Sequence, residues 1–295
     1  MNKLTTLLKS GKPILLDGAM GTMLFAAGLE SGNSPEEWNV LHPEKVREIH
    51  RAYIEAGSQI ILTNTFGGSA VRLESHKLAD RVHELNEAAA KNARAEADSV
   101  DPIVVVAGSI GPTGLLLEPL GTLTIDQAQK SFAAQAGGLV AGGVDMFWIE
   151  TMSDLEEVKA AIAGIQSVSN LPIAATMSFD SHGHTMMGVK PEQASKVLHL
   201  EEIQLLGANC GTGSDELIEA IRAYKSTNPE LPLIAKANAG IPELVGTEVV
   251  YKGSPEVMAD YAVRVWKEGA RLIGGCCGST PEHIKAMGSA LADLI

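Results

Sequence analysis

The chain has 295 residues, of which 45% are hydrophobic and 20% charged, and its net charge is −13 at neutral pH. A chain of this size can bury a large core without disulfides or structural metals. The spread-out acidic excess argues against nucleic acid and against anionic membrane surfaces as partners. No run approaches about 18 apolar residues and no signal peptide is recognisable at the N-terminus, so we expect a cytoplasmic protein without a membrane span.

Short apolar runs of β-type residues recur along the chain, with helical periodicity between them. Several runs are continuously apolar, which is typical of parallel strands covered on both faces. We predict eight strands, at Ile14–Asp17, Ile60–Asn64, Ile103–Ala107, Met146–Glu150, Ile173–Ser178, Leu205–Asn209, Leu233–Lys236 and Leu272–Gly275.

The predicted helices lie between these strands. His42–Ala56 is one, because Pro43 suits a first helical turn, apolar residues follow at spacings of three and four, and Gly57 suits the C-terminal stop. Gly143 and Gly269 stand at the same place, between a helical segment and the next strand. The repeated order of helix, glycine and strand is typical of βα units.

Eight strands that alternate with helices predict an α/β protein, a single (β/α)8 TIM barrel that forms one domain over residues 1–295. A doubly wound open sheet is the alternative. Such a sheet often has a glycine-rich phosphate loop after its first strand, and the glycines at 18 and 21 do not make that motif.

Reactive side chains cluster at the predicted C-terminal ends of the strands, where barrel enzymes build their active sites. These residues are Asp17 after strand one, Asn64, Thr65 and Phe66 after strand two, Glu150 after strand four, Asn209 and Cys210 after strand six, Asn238 after strand seven, and Cys276 and Cys277 after strand eight. The three cysteines of the chain are all among them, so we predict a functional site at this rim.

The number and place of the cysteines indicate metal chemistry. Cys276 and Cys277 are adjacent and therefore poorly placed for a mutual disulfide, which favours a reducing compartment and thiolate function. Three thiolates with one open position make a catalytic type of zinc site. Such a soft site favours a sulfur substrate, whose thiol zinc would deprotonate. Buried core cysteines are the alternative, but the glycine-rich surroundings of Cys276 favour a ligand.

The same residues resemble the zinc-dependent homocysteine S-methyltransferase family, and most of all its bacterial betaine–homocysteine type. The resemblance extends nearly from end to end. Its motifs are Leu15-Leu16-Asp17-Gly18-Ala19-Met20-Gly21-Thr22, Thr63-Asn64-Thr65-Phe66, Gly108-Ser109-Ile110-Gly111-Pro112-Thr113-Gly114, Ile149-Glu150-Thr151, Ala208-Asn209-Cys210-Gly211, Asn238-Ala239-Gly240 and Gly274-Gly275-Cys276-Cys277-Gly278.

The resemblance implies a methyl transfer to homocysteine that gives methionine, with one Zn²⁺ per chain. It implies roles for individual residues, which are Cys210, Cys276 and Cys277 as zinc ligands, Asp17 and Glu150 as acids that hold the homocysteine amino group, the backbone at Gly18 and Ala19 as a carboxylate-binding turn, and Asn238, with Asn209 and Asn64, as open-site ligands or donor-side residues. For Asp17 a helix cap, and for Glu150 a structural salt bridge, are the alternatives.

The methyl donor is predicted less directly. Betaine carries a quaternary ammonium, which aromatic rings bind. The candidate rings are Phe66, Trp38, Trp148 and Phe179, with Phe25 as a further one. Animal betaine enzymes have tyrosines where this chain has Gly67 and Thr151, so S-methylmethionine or a dimethylsulfonio compound is an alternative donor. A non-catalytic zinc or redox-sensing barrel is the alternative of another class. We expect a monomer or homodimer.

Overall fold

The computed structural model describes residues 3–101, 103–180, 182–245 and 248–294. Its strands are β1 (Ile14–Leu15), β2 (Ile60–Leu62), β3 (Val105–Ile110), β4 (Met146–Met152), β5 (Ile173–Met177), β6 (Leu205–Cys210), β7 (Leu233–Ala237), β8 (Pro242–Val245), β9 (Glu248–Tyr251) and β10 (Ala270–Gly275). Its α-helices are α1 (Lys3–Lys9), α2 (Gly21–Ala26), α3 (Trp38–Leu41), α4 (Pro43–Glu55), α5 (Ala70–Leu73), α6 (Val82–Ala97), α7 (Ile125–Gly142), α8 (Leu155–Gln166), α9 (Pro191–Leu200), α10 (Ser214–Thr227), α11 (Pro255–Lys267) and α12 (Pro281–Ala292).

Eight of these strands form one parallel sheet, in the order β1, β10, β7, β6, β5, β4, β3 and β2. A parallel bridge between Leu16 and Ile60 joins the two ends of this order and closes the barrel. The long helices lie around it, each following a strand in the chain. The predicted (β/α)8 TIM barrel is therefore confirmed.

The barrel has two apolar layers, one inside the ring of strands and one between strands and helices. In β7, Ile234 belongs to the inner layer, and Leu233 and Ala235 belong to the outer one. Because side chains of a strand alternate between its faces, Lys236 shares the inward face of Ile234. This alternation decides which side chains reach the C-terminal mouth of the barrel.

Some predicted strand bounds were wrong. Strand β3 does not begin at Ile103, which is exposed, but runs from Val105 through Gly108 to Ile110. Gly108 fits in the strand because a Cβ there would lie 2.8 Å from the side chain of Leu139 on α7, so the glycine lets this helix pack closely. At β1 the regular strand ends at Leu15, two residues before the predicted end.

The sequence did not predict the antiparallel hairpin β8–β9, which lies between β7 and α11. The hairpin lies outside the repeated order of strand and helix on which the strand prediction depended. Gly143 does end α7, with a left-handed φ of +89°. Within the described ranges, no helix is both long and apolar enough to cross a membrane.

Candidate active site

A cavity of about 440 Å³ opens at the C-terminal mouth of the barrel, within the size range of ligand pockets, about 300–1,000 Å³. It lies where active sites of this fold are built. The predicted site residues that line it are Asp17, Gly18, Ala19, Asn64, Phe66, Glu150, Cys210, Cys276 and Cys277. Cysteine and acidic side chains at the ends of β1, β4, β6 and β10, with Asn64 and Phe66 after β2, thus face one space.

The three cysteines form a compact cluster in this cavity. Their Sγ atoms lie within 4.8 Å of one another, and each residue is half-buried. Cys210 ends β6 with a left-handed φ of +60°, a conformation that costs energy and is typical of functional sites. Within the described part of the chain, no histidine, aspartate, glutamate or fourth cysteine joins the cluster, so three thiols stand with one side open to the cavity.

Asn238 connects the two segments that carry the cysteines. Its Nδ2 donates to the Gly211 carbonyl at 3.0 Å, and the Cys277 N–H donates to its Oδ1 at 3.1 Å. Both ends of the amide are therefore used to fix the backbone beside Cys210 and Cys277. Asn238 therefore fixes backbone beside the three-cysteine cluster, and its role as an open-site ligand or donor-side residue stays a prediction.

The cluster is suited to a metal cation. The hydrogen bonds among the thiols lower the pKa of one partner and raise that of the other, and with burial and the charge of the neighbouring cysteines the net effect raises the pKa of Cys210 to about 11 and the pKa values of Cys276 and Cys277 to about 12. Three such thiols cannot ionise side by side without a cation to balance them. A soft divalent metal with tetrahedral preference, zinc above all, fits three thiolate donors and an open position.

An acid cluster lies beside the cysteines at the same mouth. Asp17 Oδ1 accepts a hydrogen bond from Lys236 Nζ at 2.7 Å, and its Oδ2 accepts one from the Leu62 N–H at 2.7 Å. Glu150 Oε1 accepts a hydrogen bond from the Ser109 hydroxyl. Burial raises the pKa of Glu150 above its ordinary value, and the charge of Lys236 opposes this without cancelling it. All three charged side chains are almost fully buried.

Sequence reasoning missed Lys236, which it treated as the last residue of a predicted strand. The available signal was the alternation along β7, since Ile234 and Lys236 share a face of the strand. Lys236 also has its ion-pair partner, Asp17, more than 200 residues away in the chain. No local pattern connects the two.

The predicted carboxylate-binding turn at Gly18 and Ala19 is held tightly. The Ala19 N–H donates to Ser279 Oγ at 3.1 Å, and the Tyr53 hydroxyl donates to the Ala19 carbonyl at 2.7 Å. A Cβ on Gly18 would lie within 2.8 Å of both Ser279 and Tyr53, so only glycine fits there. The Ala19 N–H is therefore already engaged, and a substrate carboxylate would have to displace Ser279 to use it.

The other two predicted asparagines also hold backbone. Asn209 Oδ1 accepts from the Thr151 N–H at 2.8 Å, and its Nδ2 donates to Thr151 Oγ1 and lies 3.7 Å from Cys276 Sγ. Asn64 lines the cavity, but its Nδ2 donates to the Pro35 carbonyl at 2.7 Å. Asn209 thus fixes the C-terminal end of β4, and Asn64 fixes the segment at Pro35.

The predicted aromatic donor pocket is brought together only in part. Phe66, which is 41% exposed, lines the cavity, and so does Phe25. Trp38, Trp148 and Phe179 do not line it. Trp148 lies in the inner layer of the barrel, as expected from its shared face with Glu150, whereas Trp38 and Phe179 are buried in the outer layer. Their indole and phenyl rings are needed for packing there.

Fold and site together define a (β/α)8-barrel protein with a three-cysteine cluster beside an acidic pocket. Residues 14–291 match the family described as homocysteine S-methyltransferase. The chain belongs to this family, as its motifs predicted.

Similar proteins agree with this assignment. The methionine synthase of Mycobacterium tuberculosis is 33% identical over 295 residues, covering 94% of this chain and 24% of that protein. The methionine synthase of Mycobacterium leprae is 32% identical, again over 94% of this chain and 24% of its own length. The chain thus spans about a quarter of these relatives.

Solved structures share the fold over the whole chain. The homocysteine methyltransferase MmuM from Escherichia coli, in its metallated form, matches with a TM-score of 0.83 and 24% identity over 98% of this chain and 99% of that one. Its oxidized form matches with a TM-score of 0.82 and 25% identity over the same shares.

Proposed function

We propose that this chain transfers a methyl group from a small onium donor to the thiol of homocysteine, which gives methionine. The observation that carries the proposal is the juxtaposition of two clusters in one cavity. The three cysteines suit a metal and a sulfur atom, and the acids at Asp17 and Glu150 suit an ammonium group. Homocysteine carries a thiol and an ammonium on one short skeleton. Membership of the family supports the same substrate.

Cys210, Cys276 and Cys277 would hold zinc, which when bound supplies a positive charge that lowers the pKa of a thiol next to it. The surrounding residues fix the ligands. Asn238 joins the backbone at Gly211 and Cys277, so both cysteine-bearing segments are held in one arrangement before substrate arrives.

The remaining contribution of the chain is positioning. Methyl transfer needs the sulfur nucleophile, the methyl carbon and the leaving group in line, and correct alignment in a water-poor site supplies a large part of such a rate enhancement. The acid cluster would fix the amino-acid end of homocysteine and thereby orient its thiol toward the cysteines. A metal held by the three cysteines would lower the pKa of the substrate thiol, whose proton would then pass to solvent, so no side chain would be needed as a general base.

Betaine is the donor that we propose first. Phe66 and Phe25 line the cavity, and aromatic faces attract a quaternary ammonium by about 0.5–2 kcal/mol per ring. A sulfonium donor, such as S-methylmethionine or a dimethylsulfonio compound, also presents a methyl group on a cationic centre and is the second candidate.

The test is a donor panel. Zinc-loaded protein is mixed with homocysteine and with betaine, S-methylmethionine, dimethylsulfoniopropionate or methyltetrahydrofolate, and the methionine formed is measured. We expect one zinc per chain and turnover with an onium donor. Turnover with methyltetrahydrofolate alone would contradict the donor class, and bound zinc without turnover would support a non-catalytic barrel.

Alanine at each cysteine in turn supplies the control. Each single variant should lose both zinc retention and methionine formation, since two thiolates do not make a three-thiolate site. Thermal unfolding of the metal-free variants, compared with metal-free wild type, separates metal loss from misfolding. Full activity in any folded cysteine variant would refute the assignment of the ligands.

A further inference from the structure

Lys236 is a charged side chain buried at the mouth of the barrel, only 3% exposed. Its ammonium lies 2.7 Å from Asp17 Oδ1 and 5.9 Å from the centroid of the Trp148 ring beneath it. A buried ammonium is costly unless it is paired. Its presence in a binding cavity therefore calls for an explanation in terms of the acids around it.

The two carboxylates of the cluster differ in how they are used. Both oxygens of Asp17 are engaged, Oδ1 by Lys236 and Oδ2 by the Leu62 N–H. Glu150 accepts a hydrogen bond from Ser109 at Oε1, and among the residues described its Oε2 accepts none. A third acid of the cavity, Glu36, accepts hydrogen bonds at both oxygens, from the Ser34 hydroxyl and the Gly67 N–H. Within the cluster itself, two acids and one lysine leave one negative charge, which matches a single ammonium.

We propose that Lys236 is a positioning residue that neutralises Asp17 and holds its carboxylate in place, so that Glu150 alone pairs with the ammonium of the substrate. This inference rests on the proposed function, in which homocysteine is that substrate. The resemblance implied that both acids hold the ammonium. In this proposal Asp17 pairs with Lys236, and Glu150 pairs with the ammonium. This pairing also gives the cluster of Asp17, Lys236 and Glu150 its charge specificity, because one acid of the cluster remains for one cation.

The charge state of Lys236 supports this arrangement. Burial lowers the pKa of a lysine, but here the charges of Asp17 and Glu150 outweigh burial, and the pKa of Lys236 is raised above its ordinary value. The lysine therefore stays protonated at neutral pH. Without the Asp17 carboxylate, its ammonium would be left with Glu150 and would compete with the substrate for that acid.

A charge-balanced double variant tests this directly. Asp17→Asn leaves Lys236 free to occupy Glu150 and should weaken homocysteine binding by about tenfold or more, about 1.4 kcal/mol, since the substrate ammonium would then be a second cation beside a single acid. Adding Lys236→Met restores one net negative charge and should bring the affinity back to within about fivefold of wild type. If Asp17 itself bound the ammonium, the second substitution would not help.

The measurement is isothermal titration of zinc-loaded protein with L-homocysteine and with 4-mercaptobutyrate, which lacks only the amino group. Wild type should prefer homocysteine, Glu150→Gln should lose this preference, and the double variant should keep it. Lys130→Met, at an exposed lysine of α7 paired with Asp126, is the matched control and should bind like wild type.

Two results would overturn the proposal. One is a folded double variant with full zinc content that binds homocysteine as weakly as Asp17→Asn. The other is a Glu150→Gln protein that still prefers homocysteine, which decides the matter even if the double variant does not fold. Wild type that fails to bind homocysteine would instead refute the proposed function as well.

Discussion

Two regions of the molecule bury acidic side chains, and they balance charge in opposite ways. In the helix layer, Glu96 on α6 is 2% exposed and accepts hydrogen bonds from Arg47 and Arg51 on α4, at 2.7 and 2.9 Å. At the barrel mouth, Asp17 and Glu150 share the single cation of Lys236. The site of Glu96 has more cations than acids, and the cluster at the mouth has more acids than cations.

The pKa directions express this difference. Burial alone would raise the pKa of Glu96, but Arg51 and Arg47 outweigh it and hold the pKa below its ordinary value. Burial raises the pKa of Glu150 and also that of Asp17, and the charge of the one lysine beside them opposes burial without offsetting it. An acid paired with its own cations stabilises the fold, whereas an acid that has no cation of its own is available for a cationic ligand. The comparison therefore predicts opposite consequences for the same substitution in the two regions.

The largest expected effect is a loss of catalytic efficiency when an acid at the barrel mouth is substituted. Glu150→Gln should lower kcat/KM for homocysteine by about 30-fold or more, since losing one partner of a buried charge pair costs about 2–5 kcal/mol. Glu96→Gln, the matched change in the helix layer, should leave kcat/KM within about twofold. Steady-state kinetics at saturating donor checks both. An equal loss in the two variants would break the comparison.

The next effect is on stability, where we expect the substitution in the helix layer to be the harmful one and the substitution at the mouth to be harmless. Glu96→Gln should lower the free energy of unfolding by about 1–2 kcal/mol, a modest value because the guanidinium groups of Arg47 and Arg51 are about half exposed and screened by water. Glu150→Gln should unfold at a higher temperature than wild type at pH 7. Thermal and urea unfolding of the metal-free proteins measures this, and destabilisation by Glu150→Gln would contradict the account.

Acidification should remove both stability differences. Because the pKa of folded Glu96 is lowered, its contribution is present above the ordinary value of 4.5 and is lost as pH falls through the folded pKa. Because the pKa of folded Glu150 is raised, its ionisation destabilises the fold only as pH rises above 4.5. Unfolding curves from pH 7 to acid should therefore show the two variants converging on wild type from opposite sides.

The smallest effect concerns the donor side of the mouth. Phe66→Leu should raise KM for betaine by about fivefold, because one cation–π contact contributes about 1 kcal/mol. KM for homocysteine should not change, since Phe66 takes no part in the acid cluster. The ratio of the two KM values, measured with each substrate varied in turn, is the readout. A change in KM for homocysteine without a change in KM for betaine would contradict a role of Phe66 in donor binding.

The sequence was sufficient for the frame of this site. Continuous apolar strands and the helix–glycine–strand order predicted the barrel. The rule that strand ends meet at one rim predicted that Asp17, Glu150 and the cysteines lie together. The sequence did not predict Lys236 as a site residue, because its partner Asp17 is remote in the chain and because a lysine at a strand end is ordinarily solvated. The hairpin β8–β9 was not predicted, because it does not belong to the repeated order of helix, glycine and strand.

The aromatic pocket shows a second limit of sequence reasoning. Phe66 and Trp148 both lie on strands or strand ends that lead to the rim, yet Phe66 lines the cavity and Trp148 fills the inner layer below it. Strand alternation gives the face on which a side chain lies but not its depth along the barrel axis. That depth depends on the register and stagger of all eight strands, which no local pattern records.

In the proposed function, the thiol of homocysteine binds at the three cysteines while its ammonium binds at the acid cluster. Calorimetric titration of zinc-loaded and chelator-treated protein with L-homocysteine and with its thiol-free analogue L-2-aminobutyrate tests this most directly. The account predicts that zinc strengthens homocysteine binding by about tenfold or more and leaves 2-aminobutyrate binding unchanged. Equal homocysteine affinity with and without zinc would contradict it.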